Sequence, residues 1–188
     1  MGDEDGADVE ARTLRVLLAI NAAMFAVEVV AGWLAQSTGL LADALDMLAD
    51  AAVYGLALYA VGRPASLKLR AAHTSGWLQL ALALGAFAEV ARRGIVGSQP
   101  EPPTMIGVSL VALAANVTCL VLIHRHRHRG AHMQASYIFS ANDVLANLGV
   151  IAAGALVAWT GSPWPDLVIG AAIAALVLRG AVRILRLQ

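Results

Sequence analysis

Six apolar runs, each about the length of a bilayer's hydrocarbon core when helical, dominate this chain and leave it little freedom of fold. They lie at 14–34, 40–61, 73–96, 104–124, 134–160 and 164–185. A membrane-crossing helix needs about 20 apolar residues. The 188 residues therefore accommodate six spans, short loops and almost nothing else. Turn-forming stretches at 36–39, 62–64, 97–103, 125–130 and 161–163 separate the runs. Charged residues make up 14% of the chain, against about 25% in a soluble domain, too few to clothe a water-exposed globule. The expected fold is an all-α membrane protein: a bundle of six transmembrane helices over 13–188, preceded by an acidic tail at 1–12.

The placement of charge says more than its sum. A formal net charge of zero points to no nucleic-acid partner. Lys and Arg favour the cytoplasmic ends of spans. Here Arg12, Arg15, Arg63, Lys68, Arg70, Arg125, Arg127, Arg129, Arg179, Arg183 and Arg186 fall on the side shared by both termini, with Arg92 and Arg93 opposite. Both termini are therefore expected in the cytoplasm. The first ten residues are acidic, unlike the basic start of a signal peptide, and the run that follows is too long for a signal core, so it reads as a permanent span. The one cysteine, Cys119, excludes an intramolecular disulfide and a Cys-based zinc cluster, and its expected role is packing. Trp33, Trp77 and Trp164 sit near span ends as interfacial anchors.

An ionisable residue at bilayer depth costs roughly 2.5–3.5 kcal/mol on insertion scales, so several in one bundle need a reason. Asp43, Asp46 and Asp50 stand at i, i+3 and i+7 of the second run, which stacks three carboxylates on one helical face. The fifth run adds Asn142, Asp143 and Asn147, and the first adds Asn21 and Glu28. Carboxylates crowded in a low dielectric repel one another unless protons or a cation compensate them. Such a cluster can hold either, and exchanging one for the other is the chemistry of a proton-coupled antiporter. The competing reading, polar pairs gluing neighbouring helices, suits a lone Asn21 or Asn116 as well, but explains three aligned aspartates poorly. Glu89, a turn from Arg92 and Arg93, reads as an interfacial ion pair. His124, His126, His128 and His132 lie in a His/Arg-rich cytoplasmic loop, 124–132, where neutral imidazoles could collect a borderline metal ion. The interleaved arginines oppose tight binding, and a basic topology signal accounts for the loop equally well. His73 is expected to cap the cytoplasmic end of the third span.

The stretch STGLLADALDMLADAA from Ser37 to Ala52 resembles the second transmembrane helix of the cation diffusion facilitator family. NAAMFAVEVVAGWLAQS from Asn21 resembles that family's first helix, HTSGW from His73 its third, AAN ending at Asn116 its fourth, and NDVLANLGVI from Asn142 its fifth. Several motifs in order are more specific than any one alone. The resemblance implies a multi-pass transporter exporting divalent transition metals, usually zinc, in exchange for protons, with no resident cofactor. It puts the helix-two ligands on Asp46 and Asp50 and the second helix-five ligand on Asp143. The first helix-five ligand, usually His or Asp, falls on Phe139, which has no lone pair to give. Asn142 is the candidate replacement, with Asn147, Ser136 or water behind it. An all-oxygen site is harder than a His-containing one and shifts preference toward manganese, iron or cobalt, with zinc, cadmium and nickel still in range.

Asp43 is expected to shape the field at the cytoplasmic access, and Glu28, Asn21 and Asn147 to stand behind the ligands. On this resemblance the family's usual cytoplasmic metal-binding domain is expected to be absent after Gln188, so any homodimer would have to form through the membrane helices. The short loops and the resemblance suggest a bacterial inner membrane. Two rival classes remain: a membrane scaffold or metal sensor that transports nothing, and an intramembrane phosphotransferase using the DxxD series for catalytic metal. The second lacks the Gly and Ala-Arg that should follow its first aspartate pair.

Overall fold

The computed structural model describes residues 2–60, 65–124 and 131–186. These form six helices: α1 (Gly2–Leu34), α2 (Thr38–Ala60), α3 (Ala65–Val96), α4 (Pro102–His124), α5 (Ala131–Thr160) and α6 (Trp164–Leu185). The order matches the six apolar runs. Three helices begin earlier than expected, and all three extensions lie at the end of the bundle that carries the chain termini. α1 runs back to Gly2 through the stretch expected as a tail. α3 starts at Ala65 and α5 at Ala131, so polar turns of helix extend past the apolar segments.

At the opposite end, the α1–α2, α3–α4 and α5–α6 connections are short. Gln36, Gly97 and Gly161 take positive φ and turn the chain. The Glu101 N–H donates to the Ala35 carbonyl at 2.9 Å, and the Gln99 N–H donates to Gln36 Oε1 at 3.2 Å, tying two of these loops together.

α2 is the hub and packs against α1, α3, α5 and α6, while α3 pairs with α6 and α4 with α5 and α1. Buried Ala42, Ala44, Ala49 and Ala51 keep its surface small enough for close approach from several sides. Gly170 of α6 shows how close: a β-carbon there would stand 3.0 Å from the Thr38 backbone. The bundle buries polar side chains among its apolar core and exposes large apolar ones. Asn21, Glu28, Asp43, Asp50, Ser109, Asn116, Asp143 and Asn147 are buried, whereas Val27, Val30, Leu84, Leu110, Val111, Val121, Leu145 and Leu156 are exposed. That inverts a water-soluble protein and suits hydrocarbon. Among the described residues, four helices are long and apolar enough to cross a membrane by length and composition alone: α1 from Ala11, α4, α5 from Ala141, and α6. α2 carries three aspartates, and α3 carries buried Ser75, Gln79 and Arg93; these two helices bring polar groups into the interior.

The buried positions set the register. They fall at Leu14, Leu17, Asn21, Met24 and Glu28 on α1, and at Leu40, Asp43, Met47, Asp50 and Tyr54 on α2. On α4 they are Met105, Ser109, Ala112, Asn116, Cys119 and Ile123. Alternating steps of three and four residues mark the seam of closely packed helices.

Candidate functional site

Two apolar layers fix what faces what. Leu17, Tyr54 and Cys119 pack together, and Met24, Met47 and Ala112 pack together. Two turns separate these layers on each of α1, α2 and α4, and the residues midway between them are Asn21, Asp50 and Asn116. Into this level α5 brings Asp143, whose carboxyl hydrogen-bonds that of Asp50. Two carboxyl groups bond in this way only through a shared proton. The Tyr54 hydroxyl also donates to Asp50, at 3.4 Å. Asp46, half-buried one turn away, is close enough for its charge to act on Asp43, Asp50 and Asp143. α2 and α5 thus bring together the three aspartates that the sequence singles out, with Asp50 and Asp143 in direct contact.

The amides around them leave oxygens free. Asn21 donates its Nδ2–H to Leu17 O at 2.9 Å, and Asn147 donates to Asp143 O at 2.8 Å. Among the described residues, both side-chain carbonyl oxygens are then buried without a donor, and neither amide atom of Asn116 has a partner. None of the three cross-links helices among the described residues. Their free oxygens suit a cation or water instead. Asn142, the proposed replacement ligand, is half-buried. Among the described residues, no three His, Cys, Asp or Glu side chains are grouped so as to hold a metal ion. The side chains of Phe139, Ser136 and His132 lie outside the described residues, as do His126 and His128 entirely. His124 is exposed at the end of α4.

Beyond the methionine layer, Glu28 and Asp43 are fully buried and close enough for their charges to interact. Asp43 is five residues into α2, on the side of Asp50 away from the chain termini, because α2 starts at the end where the three short loops gather. Glu89 behaves as expected, holding Arg92 at 2.8 Å and Arg93 at 2.5 Å. A mostly apolar cavity of about 200 Å³ lies between α1, α2 and α3, lined by Val29, Thr38, Leu41, Ala42, Leu45, Ala86 and Glu89, apart from the aspartates.

One residue escaped the sequence reading. Asp166, in the first turn of α6, is completely buried against the start of α2. It accepts hydrogen bonds from the Ser37 hydroxyl at 2.7 Å, the Thr38 N–H and the Gly39 N–H at 2.9 Å. Ser37 Oγ accepts in turn from the Leu40 N–H at 3.1 Å. A single carboxylate thereby serves the N-termini of two helices, where negative charge is favoured. In sequence, an acid after Pro163, Trp164 and Pro165 reads only as a helix start, and its partner segment is about 130 residues away.

A polytopic helical domain with contacting acidic residues inside the bundle defines the class: a multi-pass membrane protein. The chain matches the model of the cation efflux transmembrane domain over residues 14–187 and belongs to the cation efflux family. It is 32% identical over 197 residues to the zinc transporter ZitB of Escherichia coli, covering 95% of this chain and 61% of that protein. It is 27% identical to the metal cation efflux system protein CzcD of Cupriavidus metallidurans, covering 89% of this chain and 57% of the relative. It is also 27% identical to a cadmium, cobalt and zinc/H(+)-K(+) antiporter of Bacillus velezensis, covering 84% and 55%. The chain spans about three-fifths of the length of these relatives. The family is one of transporters and not of enzymes, which disposes of the phosphotransferase alternative. With these bacterial relatives, the chain is an integral multi-pass protein of the bacterial inner membrane.

Proposed function

We propose that this chain exports a divalent transition metal in exchange for protons, with Asp46, Asp50 and Asp143 as the groups that hold either. The observation that carries the reading is the hydrogen-bonded pair of carboxyls, Asp50 on α2 and Asp143 on α5. Each can give up its proton when a divalent ion arrives and regain one when the ion leaves. Because the pair spans two helices, metal binding draws α2 and α5 together and proton binding releases the demand for a common ion. That differential is what alternating access requires. Asn142 supplies a fourth, neutral oxygen, and the buried free oxygen of Asn147 is the alternative.

With both termini cytoplasmic, metal arrives past Tyr54 and Cys119 and leaves past Met24 and Met47. The basic loop at 124–132 gathers cations through His124, His126, His128 and His132. An all-oxygen donor set favours manganese, iron or cobalt over the softer ions, with zinc and cadmium, named for relatives, within range. Replacing Asp50 by Ala should abolish metal-driven proton flux in reconstituted vesicles while leaving membrane insertion intact. Undiminished exchange would refute the assignment and leave a scaffold or sensor as the better reading.

A further inference from the structure

The register that sets Leu17 against Tyr54 and Met24 against Met47 also sets Glu28 against Asp43, one turn beyond the methionines. On α4, the same step from Ala112 reaches Ser109. All three residues are 0% exposed. Among the described residues, neither oxygen of Glu28, neither oxygen of Asp43, nor the Ser109 hydroxyl has a hydrogen-bond partner. Structural carboxylates in a bundle are held by hydrogen bonds, as Asp166 is, because burying a charged group without partners costs several kcal/mol. By register from the Met24, Met47 and Ala112 layer, these five oxygen atoms from three helices fall at one level. The hydroxyl is the telling one, since it is fully buried, unpartnered and comes from a third helix. We infer that Glu28, Asp43 and Ser109 form a second cation-binding station, about 10 Å from Asp50 by helix rise, that takes a divalent ion on its way out.

The inference rests on the exchange reading above. Hard oxygen donors in this number suit a divalent cation that keeps part of its water shell. Met24 and Met47 separate the two stations with flexible side chains that repack readily, so an ion can be handed from one level to the next without both being open at once. Asp46 is charge-coupled to Glu28 as well as to Asp50 and lies on the path between them.

The test is equilibrium Cd²⁺ binding to the purified chain in lipid nanodiscs. E28Q/D43N and D50N/D143N should each bind about one ion fewer than wild type, and the quadruple variant about two fewer. Unchanged stoichiometry in E28Q/D43N overturns the second station. So does a quadruple variant that loses no more than D50N/D143N alone. Unchanged stoichiometry in D50N/D143N, with E28Q/D43N one lower, would instead sink the exchange site and leave this one standing. Ser109→Cys, a swap of similar volume, guards against misfolding of the acid variants. In the D50N/D143N background, its sulfur should tighten Cd²⁺ binding about tenfold or more. Unaltered affinity there would remove Ser109 from the site and overturn the three-helix station.

Discussion

Replacing Asp166 by Ala tests how the acidic helix is held in place. The substitution strips the Thr38 and Gly39 N–H groups of their acceptor at the buried start of α2. Each buried donor left without a partner costs about 1–3 kcal/mol. Loss of negative charge beside the N-termini of α2 and α6 adds about 0.3–1 kcal/mol per helix. The Ser37 hydroxyl loses its acceptor but keeps the bond it receives from Leu40, so it adds less. Water cannot easily substitute: Asp166 is 0% exposed, and a β-carbon on Gly39 would already lie 3.0 Å from its carboxylate. The expected destabilisation is about 3–8 kcal/mol for Asp166→Ala, and about half that for Asp166→Asn, which keeps one acceptor oxygen. Denaturant unfolding of the detergent-solubilised protein, followed by tryptophan fluorescence, measures both. A loss below about 1 kcal/mol for the Ala variant would mean that the α2 N-terminus finds other acceptors and that Asp166 does not anchor it.

Phe139→His restores the nitrogen donor that the family's helix five usually supplies, and should raise Zn²⁺ transport relative to Mn²⁺ about tenfold in a proteoliposome competition assay. An unchanged ratio would mean that position 139 does not reach the ion. Glu89→Gln leaves the buried Arg93 guanidinium without its carboxylate. It should lower stability by about 1–3 kcal/mol in the same unfolding assay while leaving Cd²⁺ binding unaltered.

The sequence alone reveals the features that depend on local spacing. Long apolar runs announce six helices, and the three-, four- and seven-residue steps of Asp43, Asp46 and Asp50 announce an inward acidic face. The helical start of α1 at Gly2 is not legible, because hydropathy cannot separate an acidic tail from the acidic beginning of a helix. Asp166 is invisible because its partners are Ser37, Thr38 and Gly39, far off in the chain, and no local rule links an α6 acid to the α2 terminus. Ser109 and Asn116 stand seven apart in an otherwise apolar run, a spacing that predicts one buried face. What that face meets emerges only from the packing of Ala112 against Met24 and Met47.

The central claim is that one pair of side chains, from α2 and α5, carries both metal and protons. Recording divalent-metal movement and lumenal pH together in the same vesicles, for wild type and Asp143→Asn, addresses it most directly. The account predicts that both fluxes vanish together in the variant, while the protein still inserts and elutes as wild type does. A variant that moves metal at the wild-type rate, or that loses proton movement while metal continues, would contradict it.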